Sequence, residues 1–542
     1  MLNAAYNLEP PGNEPVREYR PGAPETASLR EKLDEMAANP TEIPCIVDGE
    51  AVTTGKVHEL TAPHDHGLVV ARWHAVTQEV LQRAHDASLR AWADWSQTAP
   101  HARLSIFKRA AELLAGPWRD TLNAATMLGQ SKTCHQAEID AACELIDFWR
   151  FNPYYAMAVV YGEQPRSSTG VWNYVDHRPL EGFVYAVTPF NFTCIGGNLP
   201  TAPAMMGNVC QWKPSRASLL SNYYIMRVLM EAGLPPGVIN FLPGSGKMMT
   251  DLFVRSEHFS GLHYTGSTEV FQNLWQEISG NLTGYRSYPR IVGETGGKDF
   301  IFVHESADLE AAVAASVRGA FEYQGQKCSA VSRLYVPRNR WPEFRDRLVA
   351  EIETIKVGDV RDFENFMGAV INEEAFEGIG GYIEHAKSAS GAKLLTGGET
   401  SSADGWFIPP TVIECSDPRF KTMREEIFGP VLSVHAYDET DMEGALDLCD
   451  VTSPYALTGA VFANDRGVIE RVAERLRYTA GNFYINDKPT GAIVGQQPFG
   501  GARASGTDDK AGSPLNLVRW VAPRAIKEAF VPPRDYRYPF LG

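Results

Sequence analysis

Cysteine is scarce in this chain: eight among 542 residues, at positions 45, 134, 143, 194, 210, 328, 415 and 449, with no CxxC pair. So sparse a set excludes a disulfide scaffold and fits a reducing compartment in which each thiol is buried or individually reactive. Metal-ligand patterns are lacking too. His64 and His66 form the one close histidine pair, their spacing matches no zinc signature, and a surface location with no metal bound is expected. No uncharged apolar run reaches the roughly 18 residues that a membrane span needs. The opening stretch MLNAAYNLEPPGNEPVREYR lacks the apolar core of a signal peptide, and its glutamates oppose an organelle transit peptide, so a cytoplasmic location is expected. Positive charge is in deficit, with 50 Lys and Arg against 66 Asp and Glu and a net charge of −16. Without a long basic run, nucleic acid and membrane surfaces are excluded as partners, although a few placed cations could still hold an anionic small molecule. Neither a GxGxxG fingerprint nor a P-loop is present, since GSGKMMT (244–250) has the wrong spacing, so any dinucleotide must be held in another way.

What is there is an ordinary globular composition, 44% hydrophobic and 21% charged, over a length that suits two to four domains at roughly 100 to 200 residues each. Residues 1–43 are polar and proline-punctuated and read as an arm with one short helix near 29–38. Two successive helices are expected between 78 and 115, the second with Leu104, Phe107, Ala111 and Leu114 on one face. Another should cover 135–151, with Ile139, Cys143, Ile146 and Arg150 sharing a side. From 182 onward short apolar runs alternate with helical segments. GFVYAVT (182–188), NVCQW (208–212), VINFLPG (238–244) and GLHYTGS (261–267) read as buried strands, and Leu219, Tyr223, Met226 and Met230 mark a helix that Gly233 ends. This is a βαβ series, hence an α/β fold with a parallel sheet. A second series starts after GETGGKDFIFV (293–303), with a helix near 308–321 and a strand near 332–336. The glycine-rich segment 477–507 reads as a loop shaped around something.

Several segments carry chemistry, each with a plainer reading beside it. Gly325-Gln-Lys-Cys-Ser329 sets Cys328 in a small, polar context that suits a nucleophile as well as a buried thiol, whereas the other cysteines lie in apolar surroundings. Glu294, within Gly293-Glu-Thr-Gly-Gly-Lys298, is a solvated acid at a tight turn or, paired with a nucleophilic cysteine, a general base for water. Asn191 follows a predicted strand and either caps a turn or donates its amide to an oxyanion. Lys213 could reach ribose hydroxyls or phosphate, and the helix start at Ser267 a pyrophosphate; each also reads as a surface lysine or a helix cap. Glu426, before the turn at Gly429-Pro430, is a ribose ligand or an ordinary acid.

PFNF (189–192), WKPS (212–215), YTGST (264–268), GETGGK (293–298), GQKCS (325–329), EEIFGPV (425–431) and QPFGGARASGT (497–507) occur in the order seen in the aldehyde dehydrogenase superfamily. The chain resembles that superfamily from about residue 45 to 523. Within it, AEIDAACELIDFWRFN (137–152), EGFVYAVTPFNFT (181–193), FEYQGQKCSA (321–330) and GNFYINDKPTGAIVGQQPFGGARASGT (481–507) are similar to the branch that oxidises L-glutamate γ-semialdehyde.

The resemblance implies an aldehyde dehydrogenase-like α/β fold. Its parts would be a parallel-sheet dinucleotide-binding domain (1–157 and 177–296), an α/β catalytic domain (297–505) and a small oligomerisation element (158–176 and 506–542). It implies NAD-dependent oxidation of the semialdehyde to L-glutamate in proline catabolism, with Cys328 as nucleophile, Asn191 and the Cys328 N–H as oxyanion donors and Glu294 as the base that activates water. For the cofactor it implies Lys213 and Glu426 at ribose hydroxyls, Phe428 near the nicotinamide, Gly266 and Ser267 by the pyrophosphate, and Thr188 and Ser215 alongside. For the substrate it implies Ser329 with the Gly491-Ala492 loop at the carboxylate, Phe192 and Phe499 around the aliphatic part, and Glu144 near the ammonium. Arg216 replaces an acidic residue common in relatives, which leaves room for a 2′-phosphate and keeps NADP open beside NAD. Ala492 stands where some relatives have serine, so only a backbone donor is expected there. The implied partners are a small-molecule substrate, further copies of the chain in a homodimer or larger homo-oligomer, and a proline dehydrogenase. Other readings are a dehydrogenase of another semialdehyde, such as succinic semialdehyde, and a cysteine hydrolase, which the lack of any histidine within 20 residues of Cys328 opposes.

Overall fold

A computed structural model describes residues 8–542. The alternating apolar runs become two seven-stranded sheets. In the first, five parallel strands lie in the order 290–294, 259–265, 183–187, 209–213 and 239–241, and an antiparallel hairpin formed by 45–47 and 50–52 completes the edge. The chain runs outward from 183–187 through 209–213 to 239–241 and then returns to the other side of 183–187, so the sheet changes direction beside that strand. Open α/β sheets bind ligands outside the carboxyl ends of strands at such a reversal.

The second sheet has the order 392–396, 411–415, 431–437, 331–337, 299–303, 458–462 and 482–485, all parallel except the 392–396 edge. Its 299–303 strand, covered on both faces, shows how the sequence dictates two-sided burial. Phe300 and Phe302 enter one apolar cluster and Ile301 and Val303 the other, because successive side chains leave a strand on opposite faces. A separate antiparallel ribbon pairs 171–179 with 521–529.

The helices form where periodicity and end signals agree. Leu104, Phe107, Ala111 and Leu114 are buried on the 100–115 helix. Gly233 ends the 219–232 helix with φ +98°, a left-handed conformation that glycine adopts without steric cost. Three expectations are corrected. The N-terminal helix spans Pro24–Ala38, earlier in its start than expected, because Pro24 occupies the first turn where its missing N–H costs nothing. Its Leu29, Leu33 and Met36 are buried, so this part of the arm belongs to the core.

The uniform helix expected over 135–151 does not form. A π-helical turn at Glu138–Cys143 separates Cys134–Ala137 from Glu144–Tyr155. The wider turn breaks the face on which Ile139 and Cys143 were expected to align, leaving Ile139 half-buried while Glu138 and Asp140 are buried. Both acids have cationic partners there. Arg119 pairs with Glu138, and Lys132 with Asp140 at 2.5 Å.

His64 is not on the surface. It is 3% exposed, its Nδ1 lies 3.2 Å from the Ser131 hydroxyl, and burial pushes its pKa down to about 4, leaving a neutral ring. The reason is a contact between distant segments that sequence spacing does not report. Among the described residues no cluster of three or more His, Cys, Asp or Glu could hold a metal.

Candidate active site

Parallel strands end side by side, and this gathers the motifs of the first sheet. Val187 is in register with Lys213 and with Tyr264, and Thr265 with Glu294, so Thr188, Lys213, Gly266 and Glu294 share one edge. Only 295–298 separate Glu294 from Asp299, the first residue of the 299–303 strand of the second sheet. Cys328 likewise precedes a strand of that sheet, 331–337. The carboxyl edge of one sheet therefore meets the amino edge of the other, and the chemistry lies at the seam.

Cys328 sits on a backbone that is costly to form. Tyr323, Gln324 and Gly325 have φ of +50°, +56° and +66°, a run of left-handed residues that only surrounding bonds can maintain. Those bonds are present. The Tyr323 hydroxyl donates to the Gln130 carbonyl at 2.9 Å, and the Gln324 amide to the carbonyls of Ser131 and Ala369 at 3.0 and 2.7 Å. The Asn191 amide donates to the Gln326 carbonyl at 3.0 Å, tying a residue of the first sheet's edge to the turn that carries Cys328. Burial first, and then the nearby Glu294, Asp299 and Glu426, push the Cys328 thiol well above its ordinary value, so it rests as the thiol.

Glu294 faces this turn from beneath the glycine-rich segment. The Gly501 N–H donates to its carboxyl oxygens at 3.2 and 3.4 Å, and Gly506 bridges to Glu294. Burial pushes the Glu294 carboxyl well above the usual range, against the smaller opposing effect of the Gly501 bond. The loop expected to be shaped around something thus encloses this acid.

The cofactor-side residues have the donor set that a dinucleotide needs. Lys213 is half-buried, burial lowers its pKa, and its ammonium meets no carboxylate or hydrogen-bond acceptor among the described residues. A cation taken partly out of water without a partner fits an anionic or hydroxyl-rich ligand. Ser267 is exposed and caps the 268–280 helix through the Val270 N–H, which leaves a helix start facing solvent. Glu426 accepts the Gly297 N–H at 2.8 Å, and burial raises its pKa to about 7. Gly296 is glycine because a Cβ there would run into that carboxylate. Phe428 has φ +57° and meets Phe190 edge-on at 5.8 Å. Thr188 is buried and accepts the Trp212 indole N–H at 3.1 Å, and Ser215 precedes the 216–218 turn on which the exposed Arg216 sits. These residues fit NAD.

Of the residues expected at the substrate, Ser329 adjoins Cys328 and Phe192 lies near Lys327 beside it, whereas Phe499 and Glu144 have their contacts elsewhere. The Ser329 and Thr490 hydroxyls are 2.7 Å apart, which joins the Cys328 turn to the Gly491-Ala492 loop. Gly491 is exposed with φ +85°, a position strained for any other residue. Phe192 lies 4.6 Å from the Lys132 ammonium and 5.8 Å from that of Lys327, the residue before Cys328. Phe499 pairs with Ala511. Glu144 follows the π-turn, where burial and then Asp140 raise its pKa to about 8, and its side chain contacts Cys194.

Sequence reasoning missed the buried ions behind this wall. Lys132 and Lys327 both reach Asp140, at 2.5 and 3.4 Å, and Lys327 also lies 3.5 Å from Glu322. Nothing in sequence spacing links these positions. The adjacency of Lys327 to Cys328 was the only available signal. Lys298, in GETGGK, was missed as well: it is buried with no hydrogen-bond partner, and burial brings its pKa down to about 7.

Residues 51–523 match the aldehyde dehydrogenase family. Delta-1-pyrroline-5-carboxylate dehydrogenase, mitochondrial, of Dictyostelium discoideum is 49% identical over 99% of this chain and 97% of its own length. The human protein of the same name is 47% identical over 98% of this chain and 94% of its own. Among solved structures, the Delta-pyrroline-5-carboxylate dehydrogenase from Mycobacterium tuberculosis bound with NAD superposes with a TM-score of 0.96 at 48% identity, covering all of both chains.

Proposed function

The chain belongs to the aldehyde dehydrogenase family, and on that premise we propose how its residues divide the work of the reaction. It catalyses NAD-dependent oxidation of L-glutamate γ-semialdehyde, which equilibrates with Δ1-pyrroline-5-carboxylate, to L-glutamate. The expected cytoplasmic location is corrected, because the Dictyostelium discoideum and human relatives are named mitochondrial, which points to that compartment instead. The first twenty residues misled because a polar, acidic start is no measure of destination by itself.

As the Cys328 sulfur attacks the aldehyde carbon its thiol proton passes to solvent, giving a thiohemiacetal whose oxyanion takes hydrogen bonds from the Asn191 amide and the Cys328 N–H. Such donors are worth about 3 kcal/mol each in comparable sites. The Asn191 amide has two N–H groups, so it can keep one on the Gln326 carbonyl and offer the other to the oxyanion. NAD supplies the hydride acceptor, and Lys213, Glu426, Phe428 and the Ser267 helix start would hold it. Glu294 then takes a proton from the water that hydrolyses the Cys328 thioester. The observation that carries this reading is the seam itself: Glu294 under the Gly501 loop, and Cys328 joined through Ser329 and Thr490 to the Gly491 loop.

Kinetics with a panel of semialdehydes test the substrate. Glutamate γ-semialdehyde is expected to exceed succinic semialdehyde in kcat/KM by at least about tenfold, because a site with places for both charged ends leaves polar groups unpaired with the shorter acid. Equal or better turnover of succinic semialdehyde would refute the amino-acid reading. For the cofactor, Lys213→Met is expected to raise the KM for NAD about tenfold or more, the worth of one charged hydrogen bond. Initial rates at fixed aldehyde measure it.

The remaining parts are assigned roles on the same reading. The first sheet serves the dinucleotide and the second the catalytic turn. The 171–179 and 521–529 ribbon, with Trp172 and Phe530 exposed beside it, serves homo-oligomer assembly. A proline-oxidising enzyme supplies the substrate.

A further inference from the structure

The reaction as described leaves the ions behind the substrate loop without a task. Lys488 lies just before that loop, and its ammonium donates to the Thr490 carbonyl at 3.1 Å. It is so close beneath the loop that a Cβ on Gly491 would sit 2.8 Å from its Nζ. Its counter-charge is shared. The same Glu322 oxygen lies 3.7 Å from Lys488 and 3.5 Å from Lys327, accepts no hydrogen bond and is buried. Asp140 is shared in turn by Lys327 and Lys132. The chain Lys132, Asp140, Lys327, Glu322, Lys488 therefore alternates in sign and carries more lysines than carboxylates. The lysine at its open end is Lys488, whose side chain is 21% exposed against 0% and 1% for Lys132 and Lys327. A surplus positive charge in so poorly hydrated a wall acts on an anion at the Gly491 loop with little screening.

We infer that Lys488 is a specificity-determining cation, which favours substrates with a carboxylate at the end remote from the aldehyde, with Glu322 setting how much of its charge is felt. Hydrogen bonds from the loop orient the carboxylate, and Lys488 supplies the charge that those neutral donors lack. The inference rests on the glutamate semialdehyde reading above.

The test compares kcat/KM for glutamate γ-semialdehyde and for propanal, an aldehyde with no carboxylate, in the full-length enzyme. K488M is expected to lower the ratio of the two about tenfold, chiefly through the KM for the semialdehyde, and K488R to restore most of it. E322Q is expected to move that KM the opposite way. Opposite signs in K488M and E322Q are what a merely structural lysine would not produce. A ratio unchanged in K488M, or one that falls in both variants, overturns the inference while leaving the activity standing. If K488M fails to fold, the E322Q arm decides. An unsubstituted enzyme without preference for the semialdehyde over propanal overturns the activity reading along with the inference.

Discussion

Replacing Glu294 by glutamine is expected to stop turnover after one chemical cycle: a burst of about one reduced cofactor per site, followed by a steady rate lower by roughly 10²- to 10⁴-fold, the usual worth of a general base. Glutamine keeps the shape and can still accept the Gly501 N–H that now contacts both carboxyl oxygens. What it cannot do is take a proton from water, so the thioester on Cys328 should accumulate. Rapid-quench kinetics with denaturation and detection of the acylated thiol measure both halves of the result. The pH dependence has a definite sign. Burial holds the Glu294 carboxyl well above its ordinary range, so its basic form is the minor one at low pH and grows as pH rises. Deacylation in the unsubstituted enzyme should therefore speed up with pH, and the glutamine variant should lose that dependence. A variant that keeps its steady rate would remove Glu294 from the mechanism.

The second large effect is on stability. Asp140→Leu is expected to cost about 3 to 5 kcal/mol, because it leaves buried lysines without their counter-charge. Asp140 is 4% exposed, and the ammoniums of Lys132 and Lys327 lie 2.5 and 3.4 Å from it. Burial alone would raise its pKa, but the two lysines outweigh that and hold it below its ordinary range, so it is ionised. Removing Lys132 as well should recover most of the loss. The Lys132→Met, Asp140→Leu double variant leaves Lys327 with Glu322 and fills the space with apolar groups, and such replacements of buried pairs are often neutral. Urea midpoints for the two single variants and the double variant test this. The Asp140→Leu enzyme should also lose kcat, since Lys327 adjoins Cys328 and its anchor is gone. A single variant as stable as the parent would mean that the lysines had shed their charge.

The comparison of sequence with structure separates two kinds of feature. Those written within one short segment were legible. The Phe183–Val187 strand was evident as a continuous apolar run and the 219–232 helix by its period and its terminal Gly233. Cys328, Glu294 and Asn191 drew notice because their segments combine a reactive group with glycine, serine or a strand end. Features that need two distant segments were not legible. His64 looks polar and solvated until Ser131 and Asp359 close on it. The π-turn at Glu138–Cys143 has no period to reveal it, being the local answer to burying two acids against Arg119 and Lys132.

The sequence by itself thus determined the strand and helix alternation, the nucleophile turn and the family. Each rests on local order: side-chain period, residues that tolerate tight turns, and motifs read in succession. Only the tertiary structure decided that Glu294 lies enclosed under the Gly501 loop, that Cys328 rests as a neutral thiol, and that the Gly491 loop sits on the ammonium of Lys488. The physical reason is that charge state and burial depend on what surrounds a group in space. At this site the surroundings come from chain segments that the sequence keeps far apart.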